Sequence, residues 1–225
     1  MSDAPPPPRA VIFDWDNTLV DTWPTIVECY HDTFTTLGLT PWTAEEVQVR
    51  AHGSLRDFFP VLFGERWEEA RDVFYGTFTA CHLETLRPLD GAAELLRGLV
   101  ARDIYLAIVS NKMGPALRTE VGHLGWGSLF GKVVGATDAP RDKPAPDPVT
   151  IALSGAGLRP GDAVWFVGDT VADLQCAHAT GCLPVLVRAE EPAPGEFSAY
   201  PPRRYARNCQ ALGALMYGVS GTISA

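Results

Sequence analysis

"VIFDWDNTLVDT", Val11 to Thr22, opens as a buried strand does and then sets two aspartates, Asp14 and Asp16, one residue apart. Carboxylates that close raise each other's cost of ionisation. Their placement side by side at a strand end therefore calls for a compensating charge. Working outward, "AVIF" (Ala10 to Phe13) is the first of five short β-branched or apolar runs. The others are "IYLAIVS" (Ile104 to Ser110), "KVVGA" (Lys132 to Ala136), "AVWFVG" (Ala163 to Gly168) and "LPVLV" (Leu183 to Val187). Between them lie segments with apolar residues at i, i+3 and i+4, such as "GAAELLRGLVARD" (Gly91 to Asp103). Continuous apolar strands alternating with amphipathic helices predict an α/β fold: a doubly wound, Rossmann-like parallel sheet covered on both faces.

One interval departs from that rhythm. From Thr22 to about Pro88 the pattern is helical throughout, in "WPTIVECYHDTFTTLG", "TAEEVQVRAHG", "SLRDFFPVLFG" and "RWEEARDVFYGTFTACHLETL", with Gly38, Pro41, Gly53, Pro60 and Gly64 marking turns. The reading is an inserted α-helical domain over residues 22–88, with residues 1–21 and 89–225 forming the α/β core. The C-terminal region from Ala189 is Pro-rich and then helical near Cys209 to Tyr217, which predicts a short helix at the edge of the core.

Composition narrows the partners. The chain has 225 residues, 46% of them apolar, and a net charge of −9 without a basic patch, which argues against nucleic acid. No segment has the roughly 18 apolar residues that a membrane span needs. The proline-rich start, "MSDAPPPPRA", lacks the apolar run of a signal peptide and reads as an extended tail. Cys29, Cys81, Cys176, Cys182 and Cys209 are odd in number and form no CxxC pair, so reduced buried thiols and a cytoplasmic setting are expected. The histidines show no metal-ligand spacing, and His31, His82, His123 and His178 are placed on helix surfaces or ends.

The polar residues at the strand ends carry the chemistry. Asp14 and Asp16 follow the first strand, Ser110 and Asn111 end the second, Lys143 lies after the third, and Asp169 and Asp173 follow the fourth. In a doubly wound sheet those ends share one edge, where ligands gather. Four carboxylates converging there require a cation, and hard oxygen ligands favour Mg²⁺.

With these residues placed, the chain resembles the haloacid dehalogenase-like hydrolase superfamily, in its helical-cap, phosphoglycolate-phosphatase-like branch. The four motifs stand in order as Asp14-Trp15-Asp16-Asn17-Thr18, Ser110 in "AIVSN", Lys143 in "DKPAPDP", and Asp169 with Asp173 in "GDTVAD". The resemblance implies a phosphomonoester phosphatase that acts on a small molecule through an aspartyl-phosphate. Asp14 is then the nucleophile and Asp16 the acid/base. Thr18, Ser110, Asn111 and Lys143 bind the phosphoryl group. Mg²⁺ is held by Asp14, the Asp16 carbonyl and Asp169, with Asp173 ligating directly or through water. Asn17 and Trp15 depart from the usual glycine and leucine or phenylalanine of the first motif; Asn tolerates left-handed backbone, and Trp15 is expected to pack into the core. Arg50, His52 and Arg56, with Lys112, are the candidates for reading a second anionic group, and 2-phosphoglycolate is the leading substrate. A β-phosphoglucomutase-like transferase and a non-catalytic binding member are the alternatives. "DTWPTIVECY" lacks the basic residues such mutases carry there, and no catalytic group is missing. Oligomeric state is not legible.

Overall fold

The computed structural model describes residues 7–51 and 54–217. In chain order the elements are β1 (Ala10–Phe13), β2 (Val20–Asp21), α1 (Trp23–Thr36), α2 (Ala44–Arg50), α3 (Leu55–Phe63), α4 (Trp67–Thr85), β3 (Arg87–Pro88), α5 (Ala92–Val100) and β4 (Tyr105–Met113). They continue with α6 (Gly114–His123), β5 (Lys132–Ala136), α7 (Asp147–Ala152), β6 (Val164–Gly168), α8 (Val171–Thr180), β7 (Leu183–Val187), β8 (Arg204–Ala206) and α9 (Cys209–Tyr217). Two compact units result: Met1–Leu19 with Pro88–Ala225, and Val20–Arg87.

The larger unit is built on a six-stranded sheet in the order β5-β4-β1-β6-β7-β8, every pair parallel. The all-apolar β1 sits inside it, buried on both faces. Ala10 and Ile12 pack with Ala107, Val109, Val164 and Phe166 under residues of α7 and α8, while the alternate residues Val11, Phe13, Leu106 and Ile108 are buried on the opposite side. The chain travels outward from β1 through β4 and β5, then returns to the other side of β1 for β6, β7 and β8. Direction thus reverses at β1, which opens a crevice at the carboxyl ends of β1 and its neighbours. The register lines up those ends: Phe13 stands opposite Ile108 of β4 and Val167 of β6.

The smaller unit is helical. α1 and α4 pack antiparallel, with Thr25 hydrogen-bonded to Thr85 at one end and Asp32 accepting from Thr77 further along. Their seam holds an aromatic core: Tyr30 meets Trp42, Phe59 and Phe74 at ring separations of 5.6, 6.0 and 5.3 Å, and Phe59 meets Phe63 and Phe74 edge to face. α2 starts on a capping box in which Thr43 and Glu46 satisfy each other's backbone N–H groups. His82, expected at a helix surface or end, lies in the last turn of α4 but is buried there, stacked on Phe78 at 4.4 Å. Its place one turn after Phe78 puts it on the apolar stripe of α4. His31, His123 and His178 are exposed.

β8 and the last three residues of β4 lie outside the expected strands. All five cysteines are free thiols, four buried and Cys81 half-buried. Residues 1–6 of the proline-rich start, and His52, lie outside the described residues. No described helix is long and apolar enough to cross a membrane.

Candidate active site

Each strand end delivers its polar residues to the crevice by continuing the ladder. The Asp14 N–H donates to Val167 O at 2.8 Å, so β1 stays paired to β6 one residue beyond its last apolar side chain. Asn17 then adopts φ 57°, the left-handed turn foreseen for it, and brings Thr18 back toward the strand end. The Thr18 hydroxyl donates to Asp169 Oδ1 at 3.3 Å. β6 ends at Gly168, where an added Cβ would collide with the Asp173 carboxyl. Only glycine lets that carboxylate lie against the strand.

Asp173 is on the first turn of α8 and 1% exposed. Its Oδ2 accepts from the Thr170 N–H at 3.0 Å and the Thr170 hydroxyl at 2.6 Å, while its Oδ1 accepts from Lys143 at 2.7 Å. Lys143 Nζ also donates to Asp14 Oδ1 at 2.6 Å. The loop that carries Lys143 is braced by Asn111, whose side-chain amide donates to the Lys143 carbonyl at 3.1 Å. Ser110 is buried within β4; its Oγ accepts from the Lys112 N–H at 3.1 Å, which leaves its own proton for another acceptor.

Asp14, Asp169 and Asp173 place one carboxylate oxygen each within 4.8 Å of one another. Three carboxylates against the single ammonium of Lys143 leave two negative charges in a buried space. The consequence is visible in Asp14, whose carboxyl is pushed up from 3.8 to about 7, first by burial and then by Asp173 and Asp16, against the opposing pull of Lys143. Asp169 is raised well above the carboxylate range, first by burial and then by Asp14 and Asp173. Burial works against the Lys143 charge, but the two aspartates outweigh it and hold the ammonium charged far above neutrality. A divalent cation with a taste for hard oxygen donors fits this cluster in charge and in donor type.

The fourth carboxylate does not join it. Asp16 Oδ1 lies 2.7 Å from Lys112 Nζ, and Lys112 in turn lies 2.7 Å from Glu120 Oε2. The expectation of four converging carboxylates is thereby corrected: adjacent aspartates are tolerated because each faces its own lysine, Asp14 with Lys143 and Asp16 with Lys112. The expectation that Lys112 is available to a second anionic group falls with it, since the side chain is 9% exposed and flanked by two carboxylates. Glu120 escaped the reading of the sequence. Its signal was there, a glutamate on the stripe of α6 that carries the buried Leu117 and Val121.

Arg50 and Arg56 are exposed residues of the helical unit. Arg50 pairs with Glu46 at 2.9 Å and stacks over Trp42.

With this geometry in view, comparison with known proteins is decisive. The sequence profile of the haloacid dehalogenase-like hydrolases matches residues 11–187. The chain belongs to that family. Among curated relatives, a phosphoglycolate phosphatase of Xylella fastidiosa is 30% identical over 178 residues, spanning 77% of each chain. An N-acetylmuramic acid 6-phosphate phosphatase of Pseudomonas aeruginosa is 28% identical over 185 residues, 80% of this chain and 81% of that one. The crystal structure of a hydrolase of the same superfamily from Ehrlichia chaffeensis covers 98% of this chain and 100% of its own, at 29% identity and a TM-score of 0.66. This member of the haloacid dehalogenase-like hydrolases is an enzyme, and its likeness is to the phosphatases of the family.

Proposed function

We propose that the chain is a Mg²⁺-dependent phosphomonoester phosphatase that works through an aspartyl-phosphate on Asp14. The observation that supports this most is the buried cluster of Asp14, Asp169 and Asp173 around one lysine, at the strand edge where Thr18 and Ser110 also lie. Asp14, Asp169 and the Asp16 carbonyl would hold the cation, with Asp173, whose two oxygens already accept three hydrogen bonds, acting behind them. When bound, the cation supplies the positive charge that keeps Asp14 ionised and offsets charge on the phosphoryl oxygens.

The chain's own groups carry the chemistry. Asp14 attacks phosphorus, forming the acyl-phosphate bond as the bond to the leaving oxygen breaks. Asp16 gives that oxygen its proton, then takes one from the water that attacks the phosphoryl group and frees Asp14. Lys143, Thr18 and Ser110 donate to the phosphoryl oxygens as charge moves onto them. Asn111 holds the Lys143 loop in place through its amide.

For the substrate we favour a phosphate ester that also bears a carboxylate, 2-phosphoglycolate first. The names of the two curated relatives, phosphoglycolate and N-acetylmuramic acid 6-phosphate, each contain a carboxylic acid. Residues 22–88 are assigned the role of a cap, with Arg50 and Arg56 as its basic readers. The test is phosphate release from a panel of 2-phosphoglycolate, sugar 6-phosphates and nucleotides with Mg²⁺. One carboxylate-bearing ester turned over far faster than the rest supports the reading. Transfer of the phosphoryl group between sugar hydroxyls without release would replace it with a mutase.

A further inference from the structure

Behind Asp16 runs a chain of side-chain contacts through Lys112 and Glu120 to Trp15. Trp15 is fully buried, turned away from the crevice, and packed edge to face on Trp126 at 5.8 Å. Its indole N–H donates to Glu120 Oε2 at 2.6 Å. The same oxygen accepts from Lys112 Nζ at 2.7 Å, and Lys112 pairs with Asp16 Oδ1 at 2.7 Å. Glu120 is 1% exposed. A buried ion pair of this kind is weak support for stability, because apolar residues of the same volume would serve the fold as well. Its position therefore calls for another explanation.

We infer that Glu120 and Lys112 are positioning residues that hold the Asp16 carboxyl at the leaving group, with Trp15 as their anchor. Asp16 follows β1 by three residues and precedes the left-handed Asn17, so its backbone is set by the loop. Its carboxyl can still rotate about two side-chain bonds. Lys112 pins one oxygen, Glu120 keeps Lys112 from swinging out toward the phosphoryl group, and the Trp15 indole fixes Glu120 to the same segment that carries Asp16. The loop is closed from Asp16 through three side chains back to its own neighbour. Misplacement of a catalytic group by an ångström or so can cost about a hundredfold in rate.

The inference rests on the acid role proposed for Asp16, and the experiment separates the two. Turnover of an alkyl phosphate, whose leaving alkoxide needs a proton, is compared with that of p-nitrophenyl phosphate, whose phenolate leaves without one. Asp16→Asn serves as the reference. Lys112→Met removes the pin, and Lys112→Met combined with Glu120→Gln removes it without leaving a buried carboxylate unmatched in charge. The expected result is that Asp16→Asn and both Lys112 variants lower kcat for the alkyl ester about tenfold or more beyond any loss on the aryl ester, with KM moving much less. Asp16→Asn with equal losses on both esters would overturn the acid role itself. Asp16→Asn selective for the alkyl ester, with the Lys112 variants losing both esters equally or raising KM for both, would overturn the inference and assign Lys112 to fold or to phosphate binding.

Discussion

Gly168 shows how little room the site leaves for variation at a single residue. A methyl group there would occupy the place of the Asp173 carboxyl, so Gly168→Ala should displace the partner that shares Lys143 with Asp14. Overpacking of this kind costs about 1–3 kcal/mol in stability. Phosphate release is expected to fall more steeply than the denaturation midpoint. A variant with unchanged Mg²⁺ affinity and rate would show that Asp173 has no part in the site. The other residue-scale consequence concerns charge. Asp14 holds a proton up to about pH 7 in the metal-free fold against 3.8 ordinarily, so between those values the folded chain binds more protons than the unfolded one. Stability from this group is therefore greatest at low pH and is lost as pH rises through the window. A cation that replaces the proton reverses the loss. The rise in Tm on adding Mg²⁺ should grow between about pH 5.5 and about pH 8, and Asp14→Asn should flatten that growth. A shift independent of pH in the wild type would place the cation elsewhere. Much of this residue set was legible, because Asp14, Asp16, Ser110, Lys143, Asp169 and Asp173 all follow recognisable apolar strands. What the linear pattern hides is pairing across elements. That Asp16 belongs to Lys112 and Glu120 depends on a fully buried tryptophan and a helix 105 residues further on.

At the scale of elements, the helices of residues 22–88 were readable from their 3.6-residue period, and Gly38, Pro41 and Gly64 fall between helices as expected, whereas Pro60, expected at a turn, lies inside α3, and Gly53 lies outside the described residues. β8 was not readable. Three residues, Arg204–Ala206, carry no alternation to detect, and they form a strand because β7 offers its free edge. β4 likewise runs past Ser110 to Met113, its register to β5 shifting on the way. The expected end at Ser110 followed the loss of apolar residues, whereas the backbone continues pairing. The aromatic core of the helical unit makes a direct prediction. Phe59 is 1% exposed and touches Tyr30, Phe63 and Phe74, so Phe59→Ala should destabilise that unit by about 3–5 kcal/mol. Urea unfolding followed by the tryptophan signal would register it, and a loss below 1 kcal/mol would contradict the packing described. If these helices form the proposed cap, Arg56→Ala, on their surface, should raise KM for 2-phosphoglycolate with less change in kcat.

At the scale of the whole molecule, one arrangement accounts for the chain. A sheet whose direction reverses at β1 brings three strand ends into line, and the charged residues that would be costly at any one of them neutralise one another across the crevice, short by the charge of a divalent ion. The fold was legible because continuous apolar strands leave few alternatives. The identity of the leaving group was not, because no motif at the strand ends distinguishes one phosphate ester from another. The account stands or falls on Asp14. Phosphate release from 2-phosphoglycolate by wild type and by Asp14→Asn, each with Mg²⁺ and each with a chelator, tests it most directly. The account predicts release by the wild type with Mg²⁺ alone, and none by a variant that remains folded. Release by Asp14→Asn at the wild-type rate, or by the wild type in chelator, would contradict it.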